Sequence, residues 1–374
     1  MRITFVVERP TQFEVPFYRF AAADPVHRLR VLYTDPRGAE PVYDPELGQT
    51  VSWGMDLRAG YEHAVCPDAG ALRRELLRDR PDLVLVNGYT QRLYVLAAAL
   101  ARSAGTPVGL RLDSALFATP PPRERVKRLL FALYLKPMYR LFFGVGSLSL
   151  DYLRHFGVPE ERLALFPYAV DVDAFRRASA LTPDGRAAAR ARLGIPADAR
   201  VLLAVSKLSP REAPWDLLRA ARPDDGRWIV LAGDGPERGA LEALARERGL
   251  DRVRFLGYVP YPELPVLYGL ADLFLHPARE ERWGVSVQEA LACGLPVVTS
   301  SRVGAARDLI RPGVNGATYT AGDADALARR IDEVLHLAPA AVAAVNRRIL
   351  EDWDYSATWR GILQAASRMT GERA

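Results

Sequence analysis

Two glutamates, Glu281 and Glu289, stand eight positions apart in REERWGVSVQEALACGLPVV (279–298), where a charged loop runs into an apolar segment. The segment reads as a helix of about three turns ending at Gly294, so Glu281 falls just ahead of its start and Glu289 on its second turn. The backbone N–H groups of Gly284 and Val285 open that helix, where unsatisfied donors and the helix dipole favour an anion. Carboxylates accept hydrogen bonds readily from sugar hydroxyls. A ligand with hydroxylated groups on either side of a phosphate suits this spacing, and a nucleotide sugar is such a ligand. A pair of solvated glutamates is the competing explanation.

Two further loops carry matching chemistry. VSKLSPREAPWDLL places Lys207 and Arg211 beyond a strand, where two cations can hold a diphosphate. Lys207 is one of only three lysines among 50 basic residues, the others being Lys127 and Lys136, so its retention stands out against an arginine-rich background. In LAGDGPERG, Gly233 and Gly235 form a strand-to-helix turn whose N–H groups can face an anion. The third glycine, Gly239, comes one position late for the dinucleotide-binding spacing, which argues against a dehydrogenase.

These loops need strands to hold them. Short apolar runs (RITFVV, LRVLY, DLVLVNG, PVGLRLD and FFGVGS, then VLLAVS, WIVLAG, VRFLG, ADLFLHP and PVVTS) alternate with stretches of helical periodicity. That order gives βαβ units and parallel sheets. A chain of 374 residues is long enough for two cores. The rhythm breaks only over 176–200, which predicts a first Rossmann-like doubly wound domain over 1–175, a linker over 176–200 and a second such domain over 201–353. The closing helix, 354–374, with Trp353 just ahead of it, has an apolar face of Tyr355, Trp359 and Ile362 that must dock, and the first domain is the expected place. Ligands of doubly wound sheets bind at strand carboxyl ends, so the two domains are expected to face one central cleft.

The net charge of +5 is spread over 50 basic and 45 acidic residues rather than striped, which favours a small anionic ligand over nucleic acid. Two cysteines in separate domains and the absence of a leader pattern or a 20-residue apolar run indicate a cytoplasmic protein.

EERWGVSVQEALACGLPVV, with GDGPER, VSKLSP and VPEERLALFPYAVDVDAF, resembles the donor site of retaining glycosyltransferases of family 4 (glycosyl transferases group 1), which have the GT-B fold. The resemblance runs over 145–320 and is only general over 1–145. It implies that Glu281 contacts the donor sugar, Glu289 holds the ribose and Lys207 binds the diphosphate, with Gly284 and Val285 supplying N–H groups. The donor is then a nucleoside diphosphate sugar, with uridine or guanosine the expected bases, and no separate cofactor is called for. The first domain would bind a glycan, polyol or lipid-linked acceptor. A nucleotide-sugar 2-epimerase and a non-catalytic nucleotide-sugar-binding subunit are the alternatives.

Three positions depart from the family pattern. Glu212 and Ala213 replace Lys and Gly of P-x-K-G. Leu112 and Asp113 stand where a histidine is common, leaving Asp113 and Arg111 as first-domain candidates. Tyr168-Ala169 replaces Asn-Gly. Trp53 and Asp56 are further acceptor-binding candidates. The D-x-D pairs Asp171/Asp173 and Asp352/Asp354 lie away from the donor strands, and the five histidines are dispersed, so no metal is expected. Residues 123–143 mix Arg123, Arg125, Lys127, Arg128, Lys136 and Arg140 with aliphatic and aromatic residues. Such a helix can rest on the inner face of an anionic membrane, although an ordinary packed helix with a wet basic face is the simpler expectation, since Pro137 interrupts it.

Overall fold

The apolar runs have no polar face, the signature of strands covered on both sides. In the computed structural model, which describes residues 1–37, 42–44, 49–51, 54–117 and 121–370, each becomes a strand. Together with five further strands outside those runs, the chain order is β1 (Arg2–Val7), β2 (Arg28–Tyr33), the short β3 (Val42–Asp44) and β4 (Gln49–Val51), β5 (Glu62–Val65), β6 (Leu83–Val86), β7 (Val108–Leu112), β8 (Leu141–Gly144) and β9 (Leu163–Leu165). The second set is β10 (Val201–Val205), β11 (Trp228–Ala232), β12 (Val253–Gly257), β13 (Leu273–His276), β14 (Val297–Ser300) and β15 (Gly316–Tyr319), and the five outside the runs are β3, β4, β5, β9 and β15.

The chain divides into two units: Met1–Glu40 with Met55–Val170 and Trp353–Ala374, and Pro41–Gly54 with Asp171–Asp352. The first holds a parallel sheet in the order β5-β2-β1-β6-β7-β8-β9, with Phe5 opposite Val31 and Leu85. The second holds a parallel sheet in the order β12-β11-β10-β13-β14-β15, with Leu203 opposite Val230 and Phe274. β3 and β4 form a separate antiparallel pair. Each parallel sheet reverses its direction of growth once, at β1/β6 and at β10/β13. Loops that leave the carboxyl ends of such a pair diverge and leave a crevice between them.

The closing helix, Tyr355–Thr370, packs on the first unit. Tyr355, Trp359, Ile362 and Ala366 fall on one face at helical spacing and are buried. Trp359 donates its indole N–H to Asp24 at 2.7 Å, and the Tyr355 ring lies 5.7 Å from both Phe17 and Phe20.

Residues 176–200, expected as a linker, instead carry the helix Pro183–Arg192 within the second unit. Thr182 caps it by accepting the Gly185 N–H at 3.1 Å, with Pro183 in the first turn. Arg190 is buried and donates to Asp272 at 2.9 Å and to the carbonyls of Leu270, Ala197 and Ala199. The interval lacks a strand but not a tertiary role, because Arg186 and Arg190 serve as hydrogen-bond donors to backbone carbonyls.

Candidate functional site: the β10/β13 loops of the second unit

The loops leaving β10 and β13 flank the point where the second sheet reverses. The β10 loop carries Lys207 and Arg211 and closes on Ala213, which sits in the left-handed region at φ +51°. A side chain there is strained by roughly 1 to 2 kcal/mol relative to glycine, which explains the glycine at this position in the family pattern. Pro214 then starts the helix Pro214–Ala220.

Gly233 and Gly235 depart from their expected use. The Gly233 N–H donates to Gly257 O at 2.8 Å and that of Gly235 to Asp234 Oδ1 at 2.9 Å, so both donors are engaged within the protein. What requires glycine is close approach. A Cβ on Gly233 would lie 1.9 Å from Ser206 O, and one on Gly235 2.4 Å from Leu208 O. Leu208 N–H donates to Asp234 O at 2.9 Å and Glu237 N–H returns to Leu208 O at 3.1 Å, fixing the loop that carries Lys207.

From β13 the chain passes through Glu281 and enters the helix Val285–Ala292, capped by Gly284 at φ +97°. The loop is strapped to 302–305: Glu281 N–H donates to Arg302 O at 3.1 Å, Gly304 N–H to Glu281 O at 2.9 Å and Ala305 N–H to Trp283 O at 2.7 Å. Trp283 is buried beneath it and donates to Gln288 at 3.2 Å. The first N–H groups of the helix, including that of Val285, have no acceptor within it.

The two loops meet through side chains. Arg211 donates to Glu281 at 2.7 Å from one nitrogen and pairs with Glu212 at 2.6 Å from another. Glu212, at the family's lysine position, is buried and turned onto Arg211. It therefore offsets the charge of Arg211 instead of adding a second cation. Glu212, His276 and Glu281 offer ligand-type atoms within 4.8 Å of one another, a grouping that sequence spacing does not reveal. The guanidinium of Arg211 bridges the two carboxylates, so a cation of the protein already lies there.

His276, the last residue of β13, is 4% exposed. Burial drives its imidazole pKa down to about 4, against the opposing pull of Glu281, so the ring is neutral at pH 7. Its Nδ1 lies 3.5 Å from Ser286 Oγ, whereas Nε2 is buried with no hydrogen-bond partner and faces Gly284, 3.6 Å from where a Cβ would stand. His276 does not stand out by spacing, because the five histidines are dispersed. Its position at the end of a switch-point strand was the available signal.

Glu289 is 3% exposed, and Tyr268 donates to its Oε2 at 2.7 Å. Burial pushes its pKa up to about 7, and the hydroxyls of Tyr268 and Tyr261 restrain the rise. A carboxylate offers about four acceptor positions, so two tyrosines leave room for a ligand hydroxyl.

The first-unit candidates are placed differently. Arg111 is 4% exposed and fully occupied: it pairs with Glu14 at 2.5 Å, donates to Phe166 O at 3.0 Å and Pro167 O at 3.1 Å, and lies over the Phe166 and Tyr168 rings. Its role is to brace the unit, not to meet an acceptor. Asp113 accepts from Tyr168 at 3.4 Å, so the tyrosine replacing the family's asparagine orients the carboxylate that follows the family's histidine position. Asp56 is exposed, with Oδ1 closing a turn through the N–H groups of Arg58 (2.8 Å) and Ala59 (3.3 Å). Trp53 lies outside the described residues. Among the described residues no helix is long and apolar enough to cross a membrane.

Residues 185–348 match the family described as Glycosyl transferases group 1. A D-inositol 3-phosphate glycosyltransferase of Thermobispora bispora is 37% identical over 236 residues, 58% of this chain and 54% of that one. The corresponding enzyme of Mycolicibacterium smegmatis is 35% identical over 53% of this chain and 46% of its own. The chain thus spans about half the length of the curated relatives it matches. Anabaena Alr3699/HepE, solved with UDP, superposes with a TM-score of 0.77 over 98% of this chain and 100% of its own at 21% identity. Over 185–348 the chain is thus similar to glycosyl transferases group 1, and its two Rossmann-like units have the GT-B fold.

Proposed function

We propose that the protein transfers a sugar from a uridine diphosphate donor to a hydroxyl of a sugar or polyol acceptor, with retention at the anomeric carbon. The observation that carries this reading is the Arg211–Glu281 bridge, 2.7 Å long at the reversal point of the second sheet. It joins a phosphate-binding cation to a hydroxyl-binding carboxylate beside an open helix start.

Lys207, Arg211 and the N–H groups at Gly284 and Val285 hold the diphosphate and stabilise the charge that grows on it as the sugar departs. Glu281 accepts from the sugar hydroxyls and Glu289 from the ribose. The neutral His276 donates its otherwise unpartnered Nε2–H to the ligand. The leaving phosphate oxygen takes the acceptor's proton, so no glycosidase-type carboxylate pair is needed. The acceptor is assigned to the first unit, with Asp113 beside its hydroxyl. The structure of a neighbour with UDP and the names of the curated relatives support uridine and a polyol hydroxyl, and no separate cofactor is required.

The test is the shift in melting temperature with UDP, GDP and UDP-glucose for wild type, Lys207→Ala and Glu289→Ala, followed by NMR of the product anomer. UDP and UDP-glucose should stabilise wild type by several degrees and neither variant. Stabilisation by GDP alone overturns the base, an inverted anomer overturns retention, and binding without transfer to any sugar or polyol leaves only a nucleotide-sugar-binding protein.

A further inference from the structure

Residues 121–138 form a continuous helical stretch in the first unit: α-helix over Pro121–Leu130, a π turn over Phe131–Leu135 and a final α turn over Lys136–Met138. One side packs inward. Phe131 and Leu135 are fully buried, and the Phe131 ring stacks on Phe156 at 4.7 Å. The other side is also apolar. Val126, Leu129 and Leu133 are 66%, 61% and 77% exposed and, spaced by three and four residues, form one stripe. The remaining exposed large hydrophobics of the described residues are scattered through the chain.

Cations border the stripe. Over 121–140 there are six (Arg123, Arg125, Lys127, Arg128, Lys136 and Arg140) and one acid, Glu124, a local excess of five that equals the net charge of the whole chain. Glu124 is committed to Arg128 at 2.8 Å and His155 at 2.9 Å. Arg123 and Arg125 are exposed on positions that flank Val126, and Arg140 is exposed beyond the far end.

We infer that this face is a docking surface for a bilayer containing anionic phospholipid. Three aliphatic side chains standing in water between arginines match the two layers of a membrane surface: the leucines and valine enter the acyl boundary while the guanidinium groups meet phosphate headgroups. A nucleic acid would match the cations but not the aliphatic stripe. A protein interface of this kind would be expected to present aromatic anchors, and the stripe has none. The inference does not depend on the proposed transferase reaction.

The test is co-sedimentation of the full chain with vesicles of phosphatidylcholine alone and of phosphatidylcholine with one-third phosphatidylglycerol, at 50 and 300 mM salt. Wild type should bind the anionic vesicles about a hundredfold more tightly than the neutral ones, less so at high salt. Leu129→Asp with Leu133→Asp, and separately Arg123→Glu with Arg125→Glu, should each weaken binding at least tenfold. Val26→Asp, at an exposed position elsewhere, should not. The UDP-induced melting shift of each variant is read alongside, so loss of membrane binding is separated from loss of the nucleotide site. Equal binding to both lipids, unchanged binding by both double variants, or a dimer that Leu129→Asp with Leu133→Asp dissociates in the absence of lipid would overturn the inference.

Discussion

Arg211 holds two carboxylates, and the two bonds have opposite consequences for a diphosphate. Glu281, on the neighbouring loop, orients Arg211, whereas Glu212, buried next to it in sequence, offsets its charge without reaching across. Arg211→Ala should weaken UDP affinity by about ten- to a hundredfold, the range of one or two charge-assisted hydrogen bonds. Glu212→Gln should tighten it several-fold, at a cost in stability of about 1 to 3 kcal/mol from the charge-assisted hydrogen bond that a buried side chain loses. Isothermal titration calorimetry and thermal unfolding separate the two effects. The buried titratable pair makes a second prediction. Glu289 has a native pKa raised to about 7, so its contribution to stability is full below about pH 4.5 and is lost as pH rises through 7. His276, lowered to about 4, contributes fully above about pH 6.5 and loses that contribution as pH falls through 4. Each swing is on the order of 3 kcal/mol. They oppose one another, so ligand-free wild type should show a nearly level melting temperature between pH 4.5 and 6.5. Glu289→Gln should melt progressively higher across that window as pH rises, and His276→Gln progressively lower. Parallel curves for all three would refute this assignment. The chemistry of Glu281, Glu289 and Lys207 could be read from their types and spacing. The Arg211–Glu281 bridge could not, because it arises between loops 70 residues apart, and sequence spacing says nothing about which loops a sheet reversal brings together; nor could the unpartnered Nε2 of His276, because spacing does not tell which buried polar atom a fold leaves unpaired.

At the scale of elements, glycines that look like ligand-binding positions serve as contacts between loops. Gly233→Ala drives a methyl into Ser206 O and should destabilise the fold by about 2 to 4 kcal/mol while displacing Lys207. Calorimetry would show the lower melting temperature, and UDP titration a weaker affinity. An unchanged melting temperature would mean that the loops separate freely. Ten of the strands were legible, since each buried apolar run is flanked by turn residues and followed by a helical period; β5, β9 and β15 were not, because EHAV, LAL and GATY are too short or too polar to stand out as apolar runs. The helix Pro183–Arg192 was not, because RAAARARL shows no apolar stripe. Its stability comes from the threonine cap and from Arg190 reaching carbonyls that lie outside the helix. Propensity marks such a segment as helical but not as docked.

At the scale of the whole molecule, the closing helix supplies core to the first unit from the far end of the described chain. Trp359→Ala removes a buried ring and its bond to Asp24, and should cost about 3 to 5 kcal/mol. The loss should appear in the unfolding transition of the first unit, with UDP binding by the second retained at low temperature. The docking of this helix was legible from the apolar face of Tyr355, Trp359 and Ile362, since such a face has to be covered. The return of the chain to the first unit also sets an order of events during synthesis. Residues 171–352 form an uninterrupted run of the second unit, whereas the first lacks Trp359 and Ile362 until nearly the whole described chain has left the ribosome. The later-encoded unit should therefore reach its native state first, with the earlier one waiting, partly formed, for its last helix. A fragment spanning 171–352, which lacks only the 41–54 segment of its unit, should fold and protect its amides, and one ending at 352 should leave the first sheet open to protease.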